Sequence, residues 1–250
     1  MGDDSWLRSE IGRSTPDTIT VRGRDLAAEL MGQVTFTELA FFLTAARMPS
    51  SGETRLFDAA LVALADHGLT PSVLAARLTW TGATESLQGA VAAGLLGAGN
   101  VFLGVVDDTA RFLAAILADP TDGAVERAVQ AEIDAGRRIP GLGHPIHKVE
   151  DPRTPRLYGI AEEAGIAIPH LTLLRTVAEV HAAVTGKSLP INGAGVAGAA
   201  FADLGFPPAI VRGFALLART AGLVGHLAEE MEHPIGRGIW LDVEHRVTEE

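Results

Sequence analysis

Apolar positions along this chain recur mostly at three- and four-residue spacing, the signature of amphipathic helices. The spacing predicts helices over Arg24–Met31, Phe36–Ala46, Gly52–His67, Pro71–Leu78, Thr84–Gly97 and Thr109–Ala118. It predicts further helices over Ala124–Ala135, Arg156–Ala164, Leu171–Thr185, Gly193–Leu204 and Pro208–Glu232. Thr35 followed by Glu38 reads as a capping box. Pro71, Pro120 and Pro208 fall near expected helix starts, and Gly68, Gly136 and Gly165 near expected ends. Alternating strand patterns are few: Thr18–Val21, with Ile239–Val243 as a second candidate. The fold class is all-α.

The chain has 250 residues, 47% of them hydrophobic, enough for one large domain or two lobes sharing a core. Its net charge is −11, from 31 acidic and 20 basic residues. That balance argues against a general nucleic-acid or anionic-membrane surface, so an anionic substrate needs a local cluster of cations. There is no cysteine, which excludes disulfides, thiolate metal sites and a cysteine nucleophile. The first residues are charged and carry no apolar signal core. The nearest approach to a membrane span, Val91–Val106, is Gly-rich and includes Asn100. The expectation is a soluble cytoplasmic protein.

Candidate chemistry concentrates in Ile139–Arg153, IPGLGHPIHKVEDPR. Gly and Pro at this density oppose a helix and build tight turns. The loop carries His144, His147, Lys148 and Arg153, a plausible clamp for an anionic carbonyl ligand. A metal held by His144 and His147 lacks further ligands at suitable spacing. Arg219 interrupts the apolar pattern of Phe214–Glu230, and a buried arginine is costly unless paired. His67 closes a helix just before Gly68, where a histidine can serve the helix C-terminus or a ligand. No phosphate loop and no HExxH motif is present.

Three stretches carry a resemblance: ADHGL…AAR from Ala65, PG-x-GH…DPR from Pro140, and ARTAG…GH…E from Ala218. Together they resemble the citrate synthase family, nearest its short members, the citryl-CoA lyases and the C-terminal module of ATP-citrate lyase. The resemblance implies a large helical lobe (1–103 and 198–250), a small one (104–197), a site in the cleft between them, and a homodimer. It implies that His144 polarises the oxygen whose charge changes as a carbon–carbon bond breaks. A pre-aimed donor to such an oxyanion is typically worth ~3 kcal/mol. It further implies that His67 hydrogen-bonds a 2-oxo acid and that Arg153 and Arg219 grip its carboxylates. Arg237 would reach the neighbouring subunit's site, and His226 would pack and hydrogen-bond. Gly141, Gly143 and Lys148 would hold coenzyme A, although Pro145 replaces an arginine common in the family. A coenzyme A thioester is then the substrate, with no tightly bound cofactor and no metal.

Two family positions are changed. The enol-stabilising histidine falls on Leu103, and the proton-transferring aspartate falls on Ala194. General acid–base catalysis supplies about 10²–10⁴-fold, so its loss is a serious departure. Asp66, Asp107 and Asp108 are the carboxylates nearest in motif. The resemblance implies a lyase cleaving citryl-CoA, or a related 3-hydroxy-3-carboxyacyl-CoA, to acetyl-CoA and a 2-oxo acid. Synthase-type acyl transfer is less expected. The alternatives are a thioester or β-dicarbonyl hydrolase on the same fold and a non-catalytic binder.

Overall fold

The computed structural model describes residues 9–248; the charged opening considered above lies partly outside them. Eleven α-helices follow a small sheet among the described residues. They are α1 (Phe36–Ala45), α2 (Ser51–Ala65), α3 (Pro71–Gly82), α4 (Leu87–Phe102), α5 (Gly104–Leu117) and α6 (Ala124–Asp134). Then come α7 (Arg153–Ala164), α8 (Pro169–Thr185), α9 (Gly193–Asp203), α10 (Pro208–Glu232) and α11 (Gly236–Thr248). The all-α class is correct.

Several elements differ from expectation. Arg24–Met31 is not an α-helix: Arg24–Asp25 forms strand β3, and Leu26–Leu30 forms a π-type turn capped by Asp25. The expected strand at Thr18–Val21 is β2 (Ile19–Val21), paired antiparallel with both β3 and β1 (Gly12–Ser14). Ile239–Val243 lies inside helix α11, because alternation over five residues cannot be told from one apolar helical stripe. Pro120 does not open a helix; α6 starts at Ala124 after the left-handed Gly123. Capping boxes close the N-termini of α1, through Thr35 and Glu38, and of α2, through Ser50 and Glu53.

Five phenylalanines fix the helices that carry the site. Phe41 (α1), Phe57 (α2), Phe201 (α9), Phe206 and Phe214 (α10) pack ring against ring at 4.5–5.6 Å. Such pairs add about 0.5–1.5 kcal/mol each beyond burial. The core is continuous across the expected lobe boundaries: Phe57, Leu113, Leu171, Val196 and Phe214 belong to one cluster.

Leu87–Leu117 and Pro208–Glu232 are long and apolar enough to cross a membrane by length and composition, which corrects the expectation that no run reaches that length. Both stretches carry buried charge, however. Gly99 breaks the first at φ 50°, and Asp107 follows it, paired to Arg212 through two hydrogen bonds of 2.7 and 2.9 Å. The second buries Arg219 and Glu230.

Candidate active site

The Gly/Pro loop is seated on the N-terminus of α9 by one residue. Asn192 donates its backbone N–H to Gly141 O (2.9 Å) and its side-chain amide to Gly143 O (2.8 Å). Its Oδ1 accepts from Gly195 N (2.8 Å), capping α9. Gly141 and Gly143 sit at φ 85° and 81°, a left-handed conformation that suits glycine. Gly195 presses on the Gly141 backbone, and a Cβ there would overlap it. The glycines of this segment thus let loop and helix touch. Gly143 spends its N–H on Pro190 O (2.7 Å), so the turn, rather than a free phosphate donor, is what it supplies.

His144 is oriented by its own loop. The backbone N–H groups of Ile146 and His147 donate to its Nδ1 at 3.2 and 3.0 Å, so Nε2 carries the proton and is the nitrogen free to donate. Burial lowers its pKa, and the neighbouring His147 adds to that, while Asp151 opposes it. His147 stacks on it at 4.5 Å, and the His67 ring stands 5.9 Å away. Desolvation also lowers the His67 pKa, with Arg153 and Arg219 nearby adding to it. A neutral donor is thus available at each position near neutral pH. Lys148 donates to His144 O (3.1 Å) and is otherwise exposed.

Arg153, in the first turn of α7, is held by Asp151. Nε and Nη2 donate to the two Asp151 oxygens at 2.9 and 2.7 Å, and Nη1 donates to Ala63 O at 3.1 Å. Of its five N–H donors, one on each terminal nitrogen remains for a ligand. Asp151 is fully buried. Burial opposes its ionisation, but hydrogen bonds from Arg153 and Gly193 outweigh it and hold the carboxyl at about 2. His144, His147 and Asp151 bring ligand atoms within 4.8 Å of one another. That set does not fit an ion, because both Asp151 oxygens and His144 Nδ1 already accept N–H donors beside the Arg153 cation.

Arg219 is buried on α10, and among the described residues neither its Nε nor its Nη1 has a hydrogen-bond partner. Its ionic neighbour Asp66 stands 3.9 Å away, beyond hydrogen-bond reach. Desolvation lowers the Arg219 pKa against the pull of Asp66, and the Arg153 cation pushes it the same way. A cation so placed is an incomplete carboxylate site. His67, His144, Arg153 and Arg219 are therefore brought together. Arg237 is exposed on α11. Leu103 is buried at the α4–α5 junction, and Ala194 is half-buried in the first turn of α9.

Sequence reasoning missed the loop latch at Asn192 and the role of Arg77. Asn192 carried a signal, a capping residue directly before Gly193; Arg77 lay in the matched AAR stretch with nothing to separate it from a surface arginine. Arg77 is buried, donating to Glu230 Oε2 (2.7 Å), to Glu229 and to His226 Nδ1 (2.8 Å).

The family model for the citrate synthase C-terminal domain matches residues 45–239, and the chain belongs to that family. It is 31% identical to the citryl-CoA lyase of Hydrogenobacter thermophilus. That match covers 91% of this chain and 88% of the lyase, with a TM-score of 0.83. The fold is also that of the ATP citrate lyase from Methanothrix soehngenii, solved with citrate and coenzyme A (TM-score 0.81, 24% identity, 93% of this chain and 40% of that one). Among sequences, the ATP-citrate synthase beta chain protein 1 of Oryza sativa subsp. japonica is 27% identical over 210 residues, 76% of this chain. The chain spans 34% of that protein's length.

Proposed function

We propose that this protein cleaves citryl-CoA, or a related 3-hydroxy-3-carboxyacyl-CoA, to acetyl-CoA and a 2-oxo acid. The observation that carries the reading is Arg219, a buried guanidinium with two donors unpartnered beside His67, His144 and Arg153. Isolated, such a group is a liability; with a substrate carboxylate bound it is a charge-assisted clamp. The likeness to a citryl-CoA lyase over nearly both whole chains supports the substrate class.

In the cleavage the C3 hydroxyl passes its proton to water and C3 becomes a ketone. The C2–C3 bond breaks with its electron pair passing to the acetyl-CoA carbon, which takes a proton back from water, so the net change moves the hydroxyl proton to carbon. His144 Nε2–H donates to the C3 oxygen, whose charge changes along the way. His67, Arg153 and Arg219 hold the oxo-acid half. Lys148 adds charge near the coenzyme A phosphates, and Gly141 and Gly143 shape the turn that receives them. Of the three carboxylates considered for the Ala194 role, Asp107 is held by Arg212 and Arg111, and Asp108 by Arg111. Asp66 alone belongs to the cluster. The working unit in this reading is a homodimer, with Arg237 of one copy completing the site of the other.

Ala194 favours a second reading, hydrolysis of the thioester, since its methyl group cannot protonate carbon. Purified protein with (3S)-citryl-CoA separates the two. Lyase action releases oxaloacetate, read by coupled malate dehydrogenase, without free thiol. Free thiol without oxaloacetate establishes the hydrolase and overturns the lyase.

A further inference from the structure

Arg219 and His226 lie seven residues apart on one face of α10, with Gly222 between them. At Gly222 the helix touches the end of α2 so closely that a Cβ would overlap Ala65 O. This contact sets Asp66 between the two side chains. Asp66 nevertheless stops 3.9 Å short of Arg219, with both carboxylate oxygens engaged elsewhere. Its Oδ2 accepts from Gly68 N at 2.9 Å, and its Oδ1 lies 2.8 Å from His226 Nε2. The direction of that second bond follows from chemistry. Arg77 can only donate, so His226 Nδ1 accepts from it and Nε2 carries the proton given to Asp66. Glu230, itself buried, fixes Arg77 in turn.

An aspartate 3.9 Å from a buried, unpartnered guanidinium would ordinarily close on it. Movement of about 1 Å would bring Asp66 within hydrogen-bond distance of Arg219. The clamp would then be filled by the protein's own carboxylate.

We propose that His226 is a positioning residue that holds the Asp66 carboxylate off Arg219, keeping the buried guanidinium open for a carboxylate of the substrate. Arg77 and Glu230 act behind it by fixing the His226 tautomer. The proposal rests on the reading of Arg219 as the carboxylate anchor.

The test compares His226→Asn with His226→Gln. Asparagine offers Arg77 an acceptor in place of Nδ1 but is too short to reach Asp66; glutamine places an amide donor near the Nε2 position. Oxaloacetate binding is measured by calorimetry, and a crystal structure of His226→Asn is determined. Expected are an Asp66–Arg219 contact near 3 Å and oxaloacetate affinity weakened about tenfold or more. His226→Gln should restore most of the affinity. So should Asp66→Asn added to His226→Asn, because a neutral amide does not hold Arg219 as an anion does. A merely structural role would predict no such rescue by the second change. Asp66 unmoved in the crystal, or affinity lost without rescue, overturns the proposal. If His226→Asn does not fold, His226→Phe takes its place beside His226→Gln: an Asp66–Arg219 contact near 3 Å in His226→Phe but not in His226→Gln supports the proposal, and equal distances in the two overturn it. If the wild type binds no oxaloacetate, the substrate reading fails, and the Asp66–Arg219 distance in the His226 variant alone decides the positioning role.

Discussion

Replacing Arg219 by methionine should make the unliganded protein more stable while removing its response to a 2-oxo acid. Asp66 attracts Arg219 across 3.9 Å, about 4 kcal/mol at an effective dielectric of 20. Against this stand two buried donors without partners, about 1–3 kcal/mol each, and the desolvation of the guanidinium, several kcal/mol more. Burial lowers the Arg219 pKa against the pull of Asp66, the direction expected where desolvation exceeds the ionic attraction. Methionine fills similar volume without charge, and Asp66 keeps its bonds to Gly68 and His226. The expected gain is about 1–3 kcal/mol, with the melting temperature rising about 2–4 °C for each kcal/mol in a chain of this size. Calorimetric melts with and without oxaloacetate provide the assay. At a hundredfold excess over Kd the wild type should gain about 2.7 kcal/mol, and Arg219→Met should gain none. A variant that melts below the wild type without ligand would make Arg219 a structural partner of Asp66 rather than a vacant clamp.

Lowered histidine pKa values at positions 67 and 144 set the acid limb of activity. Profiles of kcat/KM should stay flat from pH 8 to 6.5 and fall only in more acid solution; a fall centred at or above 6.5 would contradict the neutral-donor assignment. The same shift costs stability below about pH 6.5, where the unfolded chain takes up protons that the folded rings refuse. Asp151, held at about 2, acts at lower pH: the stability it contributes is complete above about 3.8 and is lost as pH falls towards 2. Asp151→Asn should cost about 3 kcal/mol in urea unfolding by leaving Arg153 without its carboxylate, and a loss below 1 kcal/mol would count against that pairing. Gly195→Ala should cost about 1–3 kcal/mol and depress turnover, since its Cβ meets the Gly141 backbone; unchanged activity would show that the loop seat is dispensable.

Much of the site was legible as residue types at motif spacing. The Pro140–Arg153 loop and Arg219 could be chosen because glycine, proline and an arginine within an apolar helix are costly unless used. Their environment was not legible. That Asp151 occupies one edge of the Arg153 fork, or that Asp66 stops short of Arg219, depends on how α2, α7 and α10 approach in space. Helix ends fared similarly: α5 starts at Gly104 rather than Thr109. Of the short N-terminal sheet only β2 was legible, as Thr18–Val21; β1 and β3, three and two residues long, show no period.

In the proposed reaction this cluster breaks the C2–C3 bond of a citryl-type thioester with His144 as the oxyanion donor. Initial rates of oxaloacetate release from (3S)-citryl-CoA, for wild type and His144→Ala at equal, saturating substrate, test it most directly. Expected are release by the wild type and a loss of about 10²–10³-fold in kcat for the variant. No release by a wild type that binds coenzyme A, or equal rates for the two proteins, would contradict it.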